Sequence, residues 1–200
     1  DKFGAKGCFF GVNGASGLIQ SAVIAMANPG ENILMPRNVH ISVIKICAMQ
    51  NINPIFFDLE FSTVTGHYKP ITKIWLENVF KKLNFDENKI AGVILVNPSY
   101  QGYAGDLEPL IDCCHQKNLP VLVDEAHGSY FLFCENLNLP KPALSSNADL
   151  VVNSLHKSLN GLTQTAVLWY KGNLINEGNL IKSINLLQTT SPSSLLLSSC

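Results

Sequence analysis

The run Asp149-Leu-Val-Val-Asn-Ser-Leu-His-Lys-Ser-Leu-Asn-Gly-Leu-Thr-Gln-Thr-Ala-Val-Leu-Trp-Tyr170 decides how the rest of this chain is to be read. Two short apolar segments, Leu150 to Val152 and Ala166 to Tyr170, enclose a polar centre that holds Ser154, His156, Lys157, Asn160, Gly161, Thr163, Gln164 and Thr165. Segments of this length, rich in Val and aromatics, suit buried strands. Lys157 then falls just beyond a strand end, at the edge where open α/β sheets bind ligands. A lone lysine after a strand is most often a solvated loop residue. Held near a cationic neighbour such as His156 and out of bulk water, its amine loses proton affinity, from about 10.4 toward roughly 7 or 8, and can condense with an aldehyde.

Outward from this stretch, strand-like runs alternate with helix-length amphipathic segments. The runs are Cys8 to Val12, Ile33 to Met35, Pro54 to Phe57, Ala91 to Val96, Pro120 to Val123, Leu150 to Val152 and Ala166 to Tyr170. Alternation of this kind implies crossover connections and a mostly parallel sheet covered on both faces. The expected fold is a three-layer α/β/α domain with seven strands. Only about a dozen residues separate the last two strands, marginal for a helical crossover, so the last strand is expected to run antiparallel. Helices are expected over Leu18 to Ala27 and Ile71 to Leu83, with a mobile surface loop at Gly66 to Pro70.

Two hundred residues, 46% of them hydrophobic and only 14% charged, describe one domain with a sizeable core. A net charge of −1 without a basic cluster argues against nucleic acid and anionic membrane as partners and for a small molecule. The cysteines Cys8, Cys47, Cys113, Cys114, Cys134 and Cys200 lack zinc-site spacing, so free buried thiols in a reducing cytosol are expected. No signal peptide opens the chain, and no apolar run reaches the roughly 18 residues of a membrane span. A cytoplasmic protein is expected.

The pattern Val152-x-Ser154-x-His156-Lys157-x-x-Asn160-Gly161-x-Thr163-Gln164-Thr165-Ala166 resembles the pyridoxal phosphate attachment signature of the Orn/Lys/Arg decarboxylase family, built on the aspartate aminotransferase fold. That resemblance implies a pyridoxal 5'-phosphate-dependent carboxy-lyase in which Lys157 carries the cofactor as an internal aldimine. The reaction it implies turns lysine, arginine or ornithine into an amine. Other reactions on the same cofactor, those of an aminotransferase or a carbon–carbon lyase, share the fold, and a catalytically inactive remnant is the reading from a different class. The chain opens at Asp1 without Met and stops at Cys200 in an apolar, Ser-rich run. It is therefore expected to be part of a large domain, lacking an N-terminal segment and a C-terminal small domain.

Further candidate residues lie where expected strands end. After the first comes Val12-Asn13-Gly14-Ala15-Ser16-Gly17, leading into a helix. Small residues at such a turn let backbone N–H groups approach an anion. The same turn also serves as a plain N-cap, and the Gly-x-Gly-x-x-Gly spacing of a dinucleotide site is missing. With the resemblance, Ala15 and Ser16 are the expected phosphate contacts. In Arg37-Asn38-Val39-His40-Ile41-Ser42 the family likeness makes His40 the residue stacked on the pyridine ring; a surface or cap histidine is the plainer alternative.

Asp124, at the end of Val121-Leu122-Val123, is the carboxylate expected at the ring nitrogen, where it would keep the ring protonated. Glu125 should point to the other face. A helix cap or an ion pair is the alternative for Asp124. The resemblance places Ala126 under the ring with His127 close by, and gives Ser154 and His156 contacts to the phosphate. It also implies that Thr190, in Thr189-Thr190-Ser191-Pro192, reaches the site of a neighbouring subunit in a homodimer or higher homo-oligomer. In Asn97-Pro98-Ser99-Tyr100-Gln101-Gly102, Asn97 and Tyr100 either line the pocket or only form a turn.

Overall fold

Each of the seven expected runs becomes a strand of one sheet in the computed structural model, which describes residues 3–83, 89–133 and 139–200. In chain order the elements are β1 (Gly7–Gly11), α1 (Gly14–Met26), β2 (Asn32–Pro36), α2 (Ile41–Gln50), β3 (Asn53–Phe57), β4 (Phe61–Ser62), β5 (His67–Tyr68) and α3 (Lys73–Lys82). There follow β6 (Ile90–Val96), α4 (Glu108–His115), β7 (Val121–Asp124), a short 3-10 turn (Ser129–Phe133), β8 (Leu150–Ser154), α5 (Leu155–Ser158), β9 (Ala166–Tyr170), α6 (Glu177–Leu187) and α7 (Ser194–Ser198).

The sheet order is β1-β9-β8-β7-β6-β2-β3. Strands β2, β3, β6, β7 and β8 pair in parallel, whereas β9 runs antiparallel to both β8 and β1. The expected reversal of the last strand is thus present. Rather than ending the sheet, β9 lies between the first strand and the rest. Strands buried on both faces need unbroken apolar runs, and Val121, Leu122, Val123, Leu150, Val151 and Val152 are all fully buried.

Two cores flank the sheet. One gathers Leu18, Ile19, Val43 and Leu180 from α1, α2 and α6 against Ile94, Leu122 and Val152. The other gathers Leu76, Leu110 and Ile111 from α3 and α4 against Val93, Val121 and Val151. Each such side chain contributes about 1.5–3 kcal/mol by leaving water. Buried Asp149 fastens the entry side of the sheet: its Oδ2 accepts the Val121 N–H at 2.8 Å and lies 2.8 Å from His115 Nε2.

Two local expectations are corrected. Residues 66–70 are not simply a loop, because His67 and Tyr68 pair with Ser62 and Phe61 in a two-stranded hairpin. The reversal is made by Gly66 at φ +70°, whose N–H donates to the Ser62 carbonyl, and an edge contact joins the Phe61 and Tyr68 rings. Among the cysteines, Cys47, Cys113 and Cys114 are free and buried as expected, but free Cys8 is half-buried and free Cys200 exposed. Cys134 lies outside the described residues. No helix among the described residues is long and apolar enough to cross a membrane, and those residues hold no cluster of His, Cys, Asp and Glu suited to a metal.

Candidate active site

The carboxyl ends of β2, β6, β7 and β8 open onto one edge of the sheet, where the order of connection reverses between β3 and β6. That edge is the usual ligand position in open α/β sheets. A cleft of about 100 Å³ lies there, lined by Ala15 and Ser16 of α1, Asn38 and His40 after β2, Tyr100 after β6, and Asp124, Ala126, His127 and Lys157.

Asp124 closes the bottom. It is the last residue of β7, 7% exposed, and its Oδ1 accepts the Ala126 N–H at 3.1 Å. Burial pushes its carboxyl up from the ordinary carboxylate range, while the Ala126 N–H and the charges of Lys157, His40 and His127 pull the other way. Among the described residues it makes no direct ion pair. Glu125 leaves the strand on the opposite face, as alternation requires, and takes the Ala143 N–H at 2.8 Å and the Asn153 amide at 3.0 Å.

Lys157 stands on the single turn of α5 beyond β8, and its Nζ lies 3.1 Å from His127 Nε2. Burial and the Lys157 charge lower the affinity of His127 for a proton, against Asp124. A neutral imidazole there accepts a hydrogen bond from the lysine ammonium. The Tyr100 ring meets the His127 ring edge-on at 5.4 Å and is itself 83% exposed at the mouth of the cleft.

Two details depart from the sequence reading. The imidazole that meets Lys157 belongs to His127 and not to adjacent His156, whose Nδ1 turns away to lie 3.2 Å from both Ser154 Oγ and the Thr165 carbonyl. A helical turn points consecutive side chains in different directions, so sequence adjacency misled. Nor is the amine shielded: Lys157 is exposed, since its short turn stands clear of the sheet at the open side of the cleft.

The structure gathers Ala15, Ser16, His40, Asp124, Ala126, His127 and Lys157 around the cleft. Ser154 and His156 lie behind Lys157 and do not line it; Thr190 is exposed beyond α6, also outside it. His40 answers both of its readings, capping α2 through an Nδ1 that accepts the Ser42 N–H at 3.2 Å while its side chain borders the cleft. Sequence reasoning missed Asn38, Ile19, Val96 and Pro98 as lining residues. The Asn97–Gly102 turn carried a signal, but not which side each residue would face.

The anion end is built from backbone. Gly14 has φ +75°, a conformation that suits glycine, and its N–H donates to the Gln164 carbonyl at 2.8 Å, tying the start of α1 to the lysine loop. Among the described residues no side chain caps α1. Its N-terminus therefore leaves N–H groups free for an anion beside the Ser16 hydroxyl.

The fold and the sequence both recur in known proteins. The chain superposes on E. coli constitutive lysine decarboxylase with a TM-score of 0.83 at 20% identity, over 99% of this chain and 28% of that one. SPT carrying a PLP internal aldimine matches at 0.70 and 17%, over 100% and 46%. The fold is thus one that this chain shares with both of these proteins. In sequence, the arginine decarboxylase of Bacillus cereus is 38% identical over 197 residues, 98% of this chain and 42% of that protein. Residues 1–200 match the family described as Orn/Lys/Arg decarboxylase, major domain, and the chain belongs to that family. It spans about two-fifths of the length of the arginine decarboxylases it matches.

Proposed function

We propose that this chain is the cofactor-binding part of a pyridoxal phosphate-dependent decarboxylase of a basic amino acid, with arginine as the first choice of substrate. The observation that carries the reading is the pairing of a buried carboxylate, Asp124, without an ion pair among the described residues, with the amine of Lys157 across one cleft. Arginine is favoured because relatives 36–38% identical bear the name arginine decarboxylase.

The residues present suit the cofactor. Asp124 is costly to ionise where it lies, and a ring N–H⁺ brought against it would supply the missing opposite charge. The N–H groups that open α1, with Ser16, would hold the phosphate; small Ala15 and Ala126 leave room for the ring, and His40 offers it an aromatic face. When bound, pyridoxal phosphate supplies an electron sink for the pair left on the substrate α-carbon as carbon dioxide departs. Asp124 keeps the proton on the ring nitrogen that makes this possible. Lys157 provides the amine that holds the cofactor between turnovers, and neutral His127 can take a proton from Nζ and return it.

Thr190 is exposed and outside its own cleft, which supports its use by a second copy in a homodimer. A cytoplasmic location follows from the same reading. The test is to incubate the full-length protein with pyridoxal phosphate and arginine, lysine or ornithine, and to assay carbon dioxide and amine. Agmatine from arginine is expected; formation of a keto acid in place of amine would sink the decarboxylase and leave the aminotransferase.

A further inference from the structure

Behind the cleft lies a second, smaller cavity of about 20 Å³, bordered by Asn38, Asn97, Ser99, Tyr103 and Gly105. Asn97 is 4% exposed, and its carboxamide faces this cavity, because Oδ1 accepts the Gly105 N–H at 2.9 Å. Its Nδ2 is a buried donor without a partner among the described residues. Asn38, which borders both cavities, presents a buried acceptor, Oδ1, equally without a partner. A donor and an acceptor stranded on one cavity would each cost about 1–3 kcal/mol. Native interiors rarely tolerate that.

A water needs roughly 10–15 Å³ of such space and two or more polar partners. We infer that one buried water bridges Asn97 Nδ2 and Asn38 Oδ1, and that Asn97 is through it a positioning residue for the cleft. The water accepts from Nδ2 and donates to Oδ1; its second proton remains for another acceptor on the wall. Ser99 Oγ, which accepts the Tyr103 N–H at 3.2 Å, is on that wall.

Among the described residues no direct hydrogen bond joins the two walls that the bridge ties. One is the loop from Pro98 to Gly105, which carries Tyr100 and is closed by the Asn97–Gly105 bond. The other is the segment after β2 that carries Asn38 and His40. This inference concerns the walls alone and does not depend on the reaction proposed above.

A crystal structure of the full-length protein at about 1.5 Å should show one ordered peak within hydrogen-bond distance of both atoms, roughly 2.7–3.2 Å. A direct Nδ2 to Oδ1 bond, or a cavity without density, overturns the bridge. In solution, Asn38→Leu removes the distant acceptor while leaving the loop's own residues in place. It should raise hydrogen exchange at the Gly105 amide about fivefold, and Asn38→Asp, which keeps an acceptor, should restore protection. Gly105 exchange unchanged by Asn38→Leu would show that the loop is held locally and defeat the positioning role.

Discussion

Adjacent Asp124 and Glu125 show how one step along a strand sends two acids to opposite faces of the sheet. Asp124 faces the cleft, and Asp124→Asn keeps an oxygen for the Ala126 N–H while deleting the charge. Steady-state assay of the full-length enzyme should show kcat/KM falling by about 10²–10³, of the order seen when one electrostatic stabiliser is lost, with no loss of folding stability. Glu125 is fully buried on the other face with no cation bonded to it among the described residues, and burial pushes its carboxyl up to about 7. The unfolded chain releases that proton near its ordinary value, so between pH 4.5 and 7 the folded state binds more protons and stability falls as pH rises. The fall amounts to about 3 kcal/mol and levels off above the folded value. Denaturant unfolding from pH 5 to 8 should show it in the parent and a smaller decline in Glu125→Gln. The placement of these two acids was legible in the sequence, because strand parity alone separates their faces. The partner of Lys157 was not: His127 reaches it across the gap between β7 and β8, a distance that sequence proximity does not encode.

At the scale of elements, helix starts do double duty as cleft walls. His40 ends its strand connection, caps α2 and borders the cleft, so its two tasks can be separated by substitution. His40→Ala should cost about 1 kcal/mol of stability, the usual value of an N-cap, as well as activity. His40→Asn keeps the cap, so denaturant unfolding should remain near the parent while activity is lost with the ring. Equal destabilisation by both substitutions would show that the cap bond contributes nothing. The seven strands were legible because buried strands demand apolar runs, and boundaries moved by only a residue or two. Helix α1 begins at Gly14, earlier than the expected Leu18, since small residues at 14–17 carry no apolar periodicity although they are helical. The β4–β5 hairpin escaped for a related reason: two-residue strands are too short for an alternating pattern to register.

For the molecule as a whole, the proposed homodimer makes a checkable demand. Thr190→Ala should leave the folded state intact yet weaken retention of pyridoxal phosphate about tenfold, as expected for one lost charge-assisted hydrogen bond to phosphate. Mixing it with a Lys157→Ala chain should restore part of the activity if each cleft borrows Thr190 from its neighbour; activity that stays at the level of the separate variants would confine the threonine to its own chain. The seven-strand architecture was readable from alternation alone, but the position of β9 was not, because its two partners are chosen by packing. That position has a bearing on birth as well as on shape. Among the described residues β1 pairs only with β9, Gly7 opposite Tyr170 and Gly11 opposite Ala166, and the start of α1 is fastened to the lysine loop just before it. A nascent chain leaving the ribosome therefore carries β1 unmatched until β9 has emerged. On the function proposed above, the turn meant for the phosphate and Lys157 come together in that same late closure, so a chain still without β9 would not sequester the coenzyme.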